Sequence, residues 1–405
     1  MNKIKLLKKW VEDRSEQIID WDGLQEKIES GKQILIKYGA DPSKPDLHLG
    51  HGVCLRMMRK FQDELDAKVQ FLIGDFTGQI GDPSGKSKAR EVLDENRVKE
   101  NALSYAQQVF QILDREKTEV WSNGSKLNFV DNCQGGWWNQ MNLSEFLSLL
   151  TMVTHAKLID RDMFQERIKN SQEIYMHEMM YPILQGYDSV MMKSDLTIVG
   201  NDQLFNELMG RFFQERFKQK PQTIITVPLL VGLDGVQKMS KSLGNYIGLS
   251  DTAEDMFGKT MSIPDSLIVD WARLATDLDF QEMQKLLDSD KNPRDVKMMV
   301  AIDIVRQYYG QEKALAAKDN FVNIFGKKNN PDEMKEIKIE NERVRLVDWL
   351  WENKLVDSKA AARRLIEQGG VKIDNIKQLS STQEVELKDK MVIRVGKRIF
   401  VKLVK

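Results

Sequence analysis

Cysteine is nearly absent from this chain: two residues in 405, Cys54 and Cys133, lie far apart and neither belongs to a Cys-x-x-Cys pair. That excludes a disulfide framework and a cysteine-based zinc site, so no protein-bound zinc is expected, and it fits a reducing compartment. Long apolar runs are missing too. No stretch reaches the roughly 18 uncharged apolar residues that would read as a membrane span. The opening MNKIKLLKKWVEDR turns acidic before any apolar run develops, so it does not read as a secretory signal. Excess charge of either sign is also lacking, with 60 Lys plus Arg against 61 Asp plus Glu. Histidine is scarce, four in all, which makes any pair of them worth attention. What remains is an ordinary globular balance of 41% hydrophobic and 30% charged residues. At roughly 150 residues per domain the length allows two to three domains. The expectation is a soluble, cytoplasmic, multidomain protein.

The neutral total conceals an asymmetry. From Asn341 to Lys405 there are 15 Lys plus Arg and 9 Asp plus Glu, a net of +6, which leaves −7 on the preceding 340 residues. A small basic module of this kind suits contact with a polyanion, driven by phosphate attraction. Its residues read as a compact unit. Val344, Leu346, Val347 and Leu350 recur at helical spacing, and Ser358 is placed to cap a second helix, Lys359 to Gln368, which Gly369 and Gly370 end. Short alternating strands follow in VKID, MVIRVG and RIFVKLVK. Upstream, GKKNNPDEMKEI carries Gly, Asn and Pro among charges and reads as a linker, over about 331–340.

In the first 330 residues, QILIKY, VQFLIGD, Leu196 to Val199 and TIITVPLLV are short apolar runs that read as buried strands. They alternate with helical patterns, including one from Glu173 to Met192 that contains Pro182. The fold expected is α/β: a doubly wound parallel sheet, then a mostly helical stretch from Ala253 to Phe325, then the small α+β module. Ligands bind such sheets at the carboxyl ends of the strands, so the loops after Tyr38, Ile73, Val199 and Val231 hold the candidate site.

Two phosphate-handling motifs fall on those loops. In Pro45-Asp46-Leu47-His48-Leu49-Gly50-His51, two of the four histidines flank a glycine at a strand-to-helix junction. Imidazole N–H groups and helix N-terminal amides can donate there to an anion lying over the turn. Lys238-Met239-Ser240-Lys241-Ser242 sits between Gly235 and Gly244. Its lysines, compact charges on flexible stems, suit a pyrophosphate that must be held and then released. Alone, the second motif reads as a solvated loop; about 190 residues downstream of the first, it gains meaning.

HLGH followed by KMSKS resembles the paired signature of class I aminoacyl-tRNA synthetases, in which both motifs serve ATP and the amino acid's carboxylate attacks the α-phosphate. The resemblance implies that His48 and His51 stabilise charge on the phosphates and that Lys238 and Lys241 stabilise the departing pyrophosphate. It also implies ATP contacts from Pro42, Gly50, Asp202, Ser240 and Ser242, with Mg2+ carried on the nucleotide. Tyr181, Gln185 and Asp188, at i, i+4 and i+7 of one helix, share a face among apolar neighbours. The segment is similar to the Tyr-x-x-x-Gln-x-x-Asp of bacterial tyrosyl-tRNA synthetases. That likeness implies that Asp188 accepts the phenolic hydroxyl and that Tyr181 and Gln185 hold the ammonium. IGDPSGK (Ile80 to Lys86) and GNDQ (Gly200 to Gln203) extend it. They bring Asp82 to the ammonium, Asp202 to the ribose and Gln203 to the substrate, while Asp41 is placed at the pocket mouth.

SKAAARRLIEQGGVKID resembles an S4-type RNA-binding domain, which implies phosphate contacts from Arg363 and Arg364. The resemblance covers about Gln33 to Lys405 and implies L-tyrosine, ATP and tRNA(Tyr) as substrates and a homodimer, for which the apolar, Trp-bearing stretch from Asn132 to Leu158 is a candidate contact. The implied layout is a catalytic domain over 1–230 with a helical dimerisation insertion at about 115–170. A helical domain carrying KMSKS follows over 231–330, and the S4-like module over 341–405. One departure, together with PDLHLGH, resembles the second bacterial subfamily. Many members have a tyrosine two residues before the glycine of G-F-D-P, whereas here that position is Lys37, and Tyr38 directly precedes Gly39. Adjacent strand residues point to opposite faces, so the hydroxyl contact is expected from Asp188 and not from Tyr38. A tryptophanyl-tRNA synthetase would share both phosphate motifs but lack the basic module and the Tyr181/Gln185/Asp188 set. A non-catalytic RNA binder on the same scaffold would show decayed motifs.

Overall fold

Alternating apolar runs and amphipathic helices build the sheet. Its strands are β1 (Gln17–Ile19), β2 (Leu35–Ala40), β3 (Lys68–Ile73), β4 (Thr118–Ser122), β5 (Gln134–Gly135), β6 (Leu196–Gly200) and β7 (Thr223–Val227). They lie in the order β1-β7-β6-β2-β3-β4-β5, all parallel except the antiparallel edge strand β1. The computed structural model describes residues 2–404 except 43–45, 84–94, 126, 128–131, 290, 326–333, 340–342, 375, 383 and 397–398. The chain divides into two compact units, one ending at Ala314 and one starting at Leu315.

In the first unit, β3, β6 and β7 are buried along almost their whole length, as strands covered on both faces must be. The chain runs outward from β2 to β5 and then returns to place β6 beside β2. The switch point therefore lies between β2 and β6, and the cleft opens at their carboxyl ends. Helices Leu49–Leu65, Met176–Met192 and Leu204–Arg216 frame it. The last two touch closely: a Cβ on Gly186 would come within 2.9 Å of Met209 backbone, so only glycine fits. Glu178 anchors the start of the Met176–Met192 helix by accepting from the Tyr175 amide at 3.0 Å and pairing with buried Arg167 at 2.8 Å. Pro182 is accommodated inside that helix. The helical stretch that follows is present, its long final segment Pro293–Phe325 being two helices that meet at Gly310, where φ is +83°.

One expectation needs correction here, and one strand was not anticipated. Residues 115–170 are not helical from the start, because β4 and β5 belong to the central sheet and the helical part opens at Leu143. β1 was not read from the sequence, having only three half-exposed residues without an apolar run.

The second unit holds β8 (Lys335–Lys338), β9 (Arg343–Arg345), β10 (Val371–Ile373), β11 (Ile376–Gln378), β12 (Glu384–Glu386), β13 (Val392–Val395) and β14 (Ile399–Val404). Five of them form a sheet in the order β11-β10-β13-β14-β8, and β9 pairs with β12. Its core includes Leu346, Leu350, Ile366, Val371, Ile393, Val401 and Leu403. Ser358 caps the Lys359–Glu367 helix, its Oγ accepting from the Ala361 amide at 3.1 Å. The expected linker is corrected by β8, which pairs in parallel with β14. Lys335 to Lys338 alternate charge with one buried Ile337, a pattern that looks like linker until β14 supplies its partner.

Candidate functional site

A cleft of about 660 Å³ opens at the switch point, and both motifs line it. His48 ends the connection from β2 in an extended conformation, φ −131° and ψ 169°, and caps the Leu49–Leu65 helix. Its amide donates to His51 Nδ1 at 3.2 Å, and the two rings lie 3.9 Å apart. Gly50 is required between them, since a Cβ there would fall 2.9 Å from the His48 ring. The sequence gap between the motifs is bridged by backbone: the Leu49 amide donates to Ile247 O at 3.0 Å, and the Leu249 amide to Leu47 O at 2.9 Å. Residues just beyond KMSKS are thereby stitched to the HLGH turn.

The KMSKS loop is built by Asn245 and Asp234. Asn245 Oδ1 accepts from the Ser240 amide at 2.8 Å, while its Nδ2 donates to Asp234 Oδ2 at 2.7 Å and to Lys238 O at 3.2 Å. Val236 and Gln237 amides, both 3.0 Å from Asp234 Oδ1, hold that carboxyl below its ordinary range. Lys238 Nζ pairs with Asp202 Oδ2 at 2.7 Å. Lys241 Nζ lies 3.2 Å from the Tyr105 hydroxyl and 5.2 Å from that ring's centre.

Burial, with Lys241 and Lys238 adding to it, pushes His48 down to about 3. Burial pushes His51 well below the ordinary imidazole range, helped by His48 and Lys241. Both rings are therefore neutral in the free cleft and act as N–H donors, not cations. His48 Nδ1 is buried without a hydrogen-bond partner among the described residues. In an NMR titration of the free protein, the ring protons of His48 and His51 should hold their shifts between about pH 5 and 8. A midpoint near the ordinary imidazole value for either would show that water reaches the rings.

The opposite side of the cleft is acidic and amide-rich. Tyr181, Gln185 and Asp188 all line it from the Met176–Met192 helix, as their spacing requires. Tyr181 donates to Asp41 Oδ2 at 2.8 Å, and Thr77 donates to Asp41 Oδ1 at 2.8 Å. Gln203 Nε2 donates to Asp82 Oδ2 at 2.8 Å, and Asn206 donates to both Gln203 Oε1 at 3.0 Å and Gln185 Oε1 at 2.9 Å. This rim suits an ammonium. Asp188 lies deeper, 2% exposed. Its Oδ1 accepts both indole N–H groups of Trp137 and Trp138, each at 2.9 Å, and its Oδ2 accepts from Asn123 at 3.1 Å. Burial pushes this carboxyl up to about 7 against the opposing pull of Lys37 and the three donors.

Gly50, Asp41, Asp82, Asp202, Gln203, Ser240 and Ser242 also line the cleft. Pro42 does not, and its carbonyl accepts instead from Asn101 Nδ2 at 2.8 Å. The later part of IGDPSGK and Pro45 lie outside the described residues. Arg363 and Arg364 are exposed on the Lys359–Glu367 helix of the second unit. Lys37 and Tyr38, adjacent on β2, both line the cleft, Lys37 reaching Ser189 and Glu207 and Tyr38 stacking on Phe71. The tryptophans expected at a dimer contact are interior, 7% and 5% exposed. Sequence reasoning missed Tyr105, Asn123, Lys37 and Glu207; only the adjacent pair in GGWW carried a signal, and it was read as surface.

Residues 29–326 match the family described as tRNA synthetases class I (W and Y), and residues 327–403 match the tyrosine–tRNA ligase SYY-like C-terminal domain. A tyrosine–tRNA ligase of Thermotoga maritima is 42% identical over 99% of this chain and 97% of its own length. One from Geobacter metallireducens is 44% identical over 94% of both chains. Among solved structures, an Archaeoglobus fulgidus tyrosyl-tRNA synthetase complexed with L-tyrosine superposes with a TM-score of 0.58 at 20% identity, covering 77% of this chain and 99% of that one. A truncated mitochondrial tyrosyl-tRNA synthetase of Aspergillus nidulans gives 0.62 at 20% identity over 78% and 94%. These two establish the fold, and the full-length sequence matches establish kinship: the chain belongs to the tyrosyl-tRNA synthetases, within the class I aminoacyl-tRNA synthetases.

Proposed function

We propose that this cleft activates L-tyrosine with ATP and hands the product to tRNA(Tyr), so that the chain is a tyrosine–tRNA ligase, an ATP-dependent enzyme. The observation that supports this most is convergence: the HLGH imidazoles, the KMSKS lysines and the Tyr181/Gln185/Asp188 face line one recess. The tyrosine carboxylate is already a nucleophile, so the first step needs positioning and charge stabilisation and no protein base. One carboxylate oxygen bonds the α-phosphorus, the bond from that phosphorus to the oxygen bridging to the β-phosphate breaks, and pyrophosphate leaves; Mg2+ carried on the nucleotide would neutralise part of the phosphate charge. A ribose hydroxyl at the tRNA 3′ end then attacks the tyrosyl carbonyl, and AMP departs.

Within this scheme His48 and His51 donate to the phosphates over the helix N-terminus, with Gly50, Ser240 and Ser242 alongside. Lys238 and Lys241 meet the pyrophosphate charge, and Asp202 meets the ribose once Lys238 leaves it. Tyr181, Gln185, Gln203, Asp41 and Asp82 form the ammonium side, and Asp188 takes the phenolic hydroxyl. Arg363 and Arg364 contact tRNA phosphates from an S4-type module that we begin at β8. The catalytic domain extends to about residue 230 and the KMSKS-bearing helical domain to about 330. A second copy of the chain covers the exposed apolar residues around the Leu143–Leu150 helix, where Leu143 is 72% and Leu147 50% exposed; sedimentation tests this homodimer. No described helix is long and apolar enough to cross a membrane, and we place the enzyme in the cytoplasm.

Tyrosine-dependent ATP–pyrophosphate exchange without RNA tests the assignment, and its absence would refute it. Removing residues 331–405 should abolish tRNA charging and leave this exchange within about twofold of the full chain. Loss of both together would give the module a structural role.

A further inference from the structure

A buried ion pair at the cleft floor has no part in the chemistry just described. Lys37, on β2 and 1% exposed, donates through Nζ to Ser189 Oγ at 2.8 Å and reaches Glu207 Oε2 at 2.8 Å and Oε1 at 3.1 Å. Glu207, on the Leu204–Arg216 helix and 1% exposed, also receives Gln185 Nε2 and Gln222 Nε2, each at 2.8 Å. A buried charge pair is costly to desolvate, and apolar residues would fill the same space more cheaply. Its location gives it a task. Ser189 follows Asp188 on the same helix, and Lys37, Glu207 and Asp188 all line the cleft.

The donors on Asp188 are neutral: two indoles and one amide. Lys37, bonded to the next residue on that helix, pulls against the effect of burial on Asp188. Asp75, at the end of β3, bonds Ser122 and the Gly124 and Ser125 amides instead. Glu207 competes for the same ammonium. We propose that Lys37 and Glu207 are opposed positioning residues for tyrosine selection, Lys37 holding Asp188 as the hydroxyl acceptor and Glu207 weakening that hold. This rests on the tyrosine reading of the cleft and adds to it the residues that tune the acceptor.

With its carboxyl raised to about 7, Asp188 changes state near neutrality. The ionised form accepts a phenolic hydroxyl better, so tyrosine affinity rises with pH through this range, while phenylalanine, lacking the hydroxyl, shows no such step. Removing Lys37 raises the carboxyl further, and neutralising Glu207 lowers it.

Calorimetric titration of the full chain with tyrosine and with phenylalanine, between about pH 6 and 8.5, reads both effects. Lys37→Met should move the tyrosine step upward by about one pH unit or more, weakening tyrosine on the order of tenfold at pH 7. Glu207→Gln, nearly isosteric, should move it downward, and Asp188→Asn should erase it. If Lys37→Met fails to fold, the direction of the Glu207→Gln shift decides. A step that stays in place in the variants, or moves the same way in both, overturns this inference while leaving the tyrosine reading intact. A wild-type chain that binds no tyrosine at any pH sinks that reading itself.

Discussion

Replacing Lys241 with alanine should lower the rate of adenylate formation by about 10²–10³-fold and leave tyrosine affinity unchanged. Among the described residues, the charge that develops as pyrophosphate leaves has few partners in this cleft: the two imidazoles next to it are neutral. That places the burden of positive charge on the loop. Lys241 lies over Tyr105, and none of its described contacts joins it to Asp41, Asp82 or Asp188 on the amino-acid side. Its removal therefore costs the transition state and not the bound tyrosine. Stopped-flow activation with saturating ATP and tyrosine measures this directly, and a wild-type rate would remove Lys241 from the mechanism. Lys238→Ala is a less clean experiment, because it also releases Asp202 from their 2.7 Å ion pair.

Replacing Asp188 with alanine should collapse discrimination between tyrosine and phenylalanine by roughly 10²-fold or more in relative kcat/KM. In the intact site, phenylalanine brings no donor to the acceptor position that the Trp137, Trp138 and Asn123 bonds leave on Asp188, and an unmet buried acceptor costs about 1–3 kcal/mol. Without the carboxylate that penalty disappears, and the same change strands the Trp137 and Trp138 indoles that converge on it. Because the loss of anchored indoles also loosens the pocket, the ratio of the two amino acids is the informative quantity, not either rate alone. An unchanged ratio would move hydroxyl recognition to another residue, with buried Tyr38 the nearest candidate on the cleft wall.

How much of this was legible in advance depends on the kind of interaction. The apolar cores of β2, β3, β6 and β7 announce themselves because a strand buried on both faces needs an unbroken apolar run. The helix face of Tyr181, Gln185 and Asp188 was legible because 3.6-residue periodicity alone sets it. β1 and β8 were not legible: three or four residues, too short for an apolar run or a clear alternation, become strands only when β7 and β14 present an open edge. Trp137 and Trp138 were misplaced for a related reason. Two adjacent tryptophans look like an exposed contact until a buried carboxylate, 50 residues on, supplies an acceptor for both. The Lys37–Glu207 pair spans 170 residues and has no periodic signature at all. Local pattern shows which segments fold, and only tertiary proximity shows which charges must share one.

The backbone stitch between Leu47–Leu49 and Ile247–Leu249 has a consequence for biosynthesis. A ribosome translating at about 5–20 residues per second releases the histidine turn well before the stretch that secures it has been made. For that interval the nascent polypeptide carries a histidine turn whose Leu49 amide and Leu47 carbonyl lack the partners they have in the folded chain. Slow, long-range closure is the corresponding burden on folding speed.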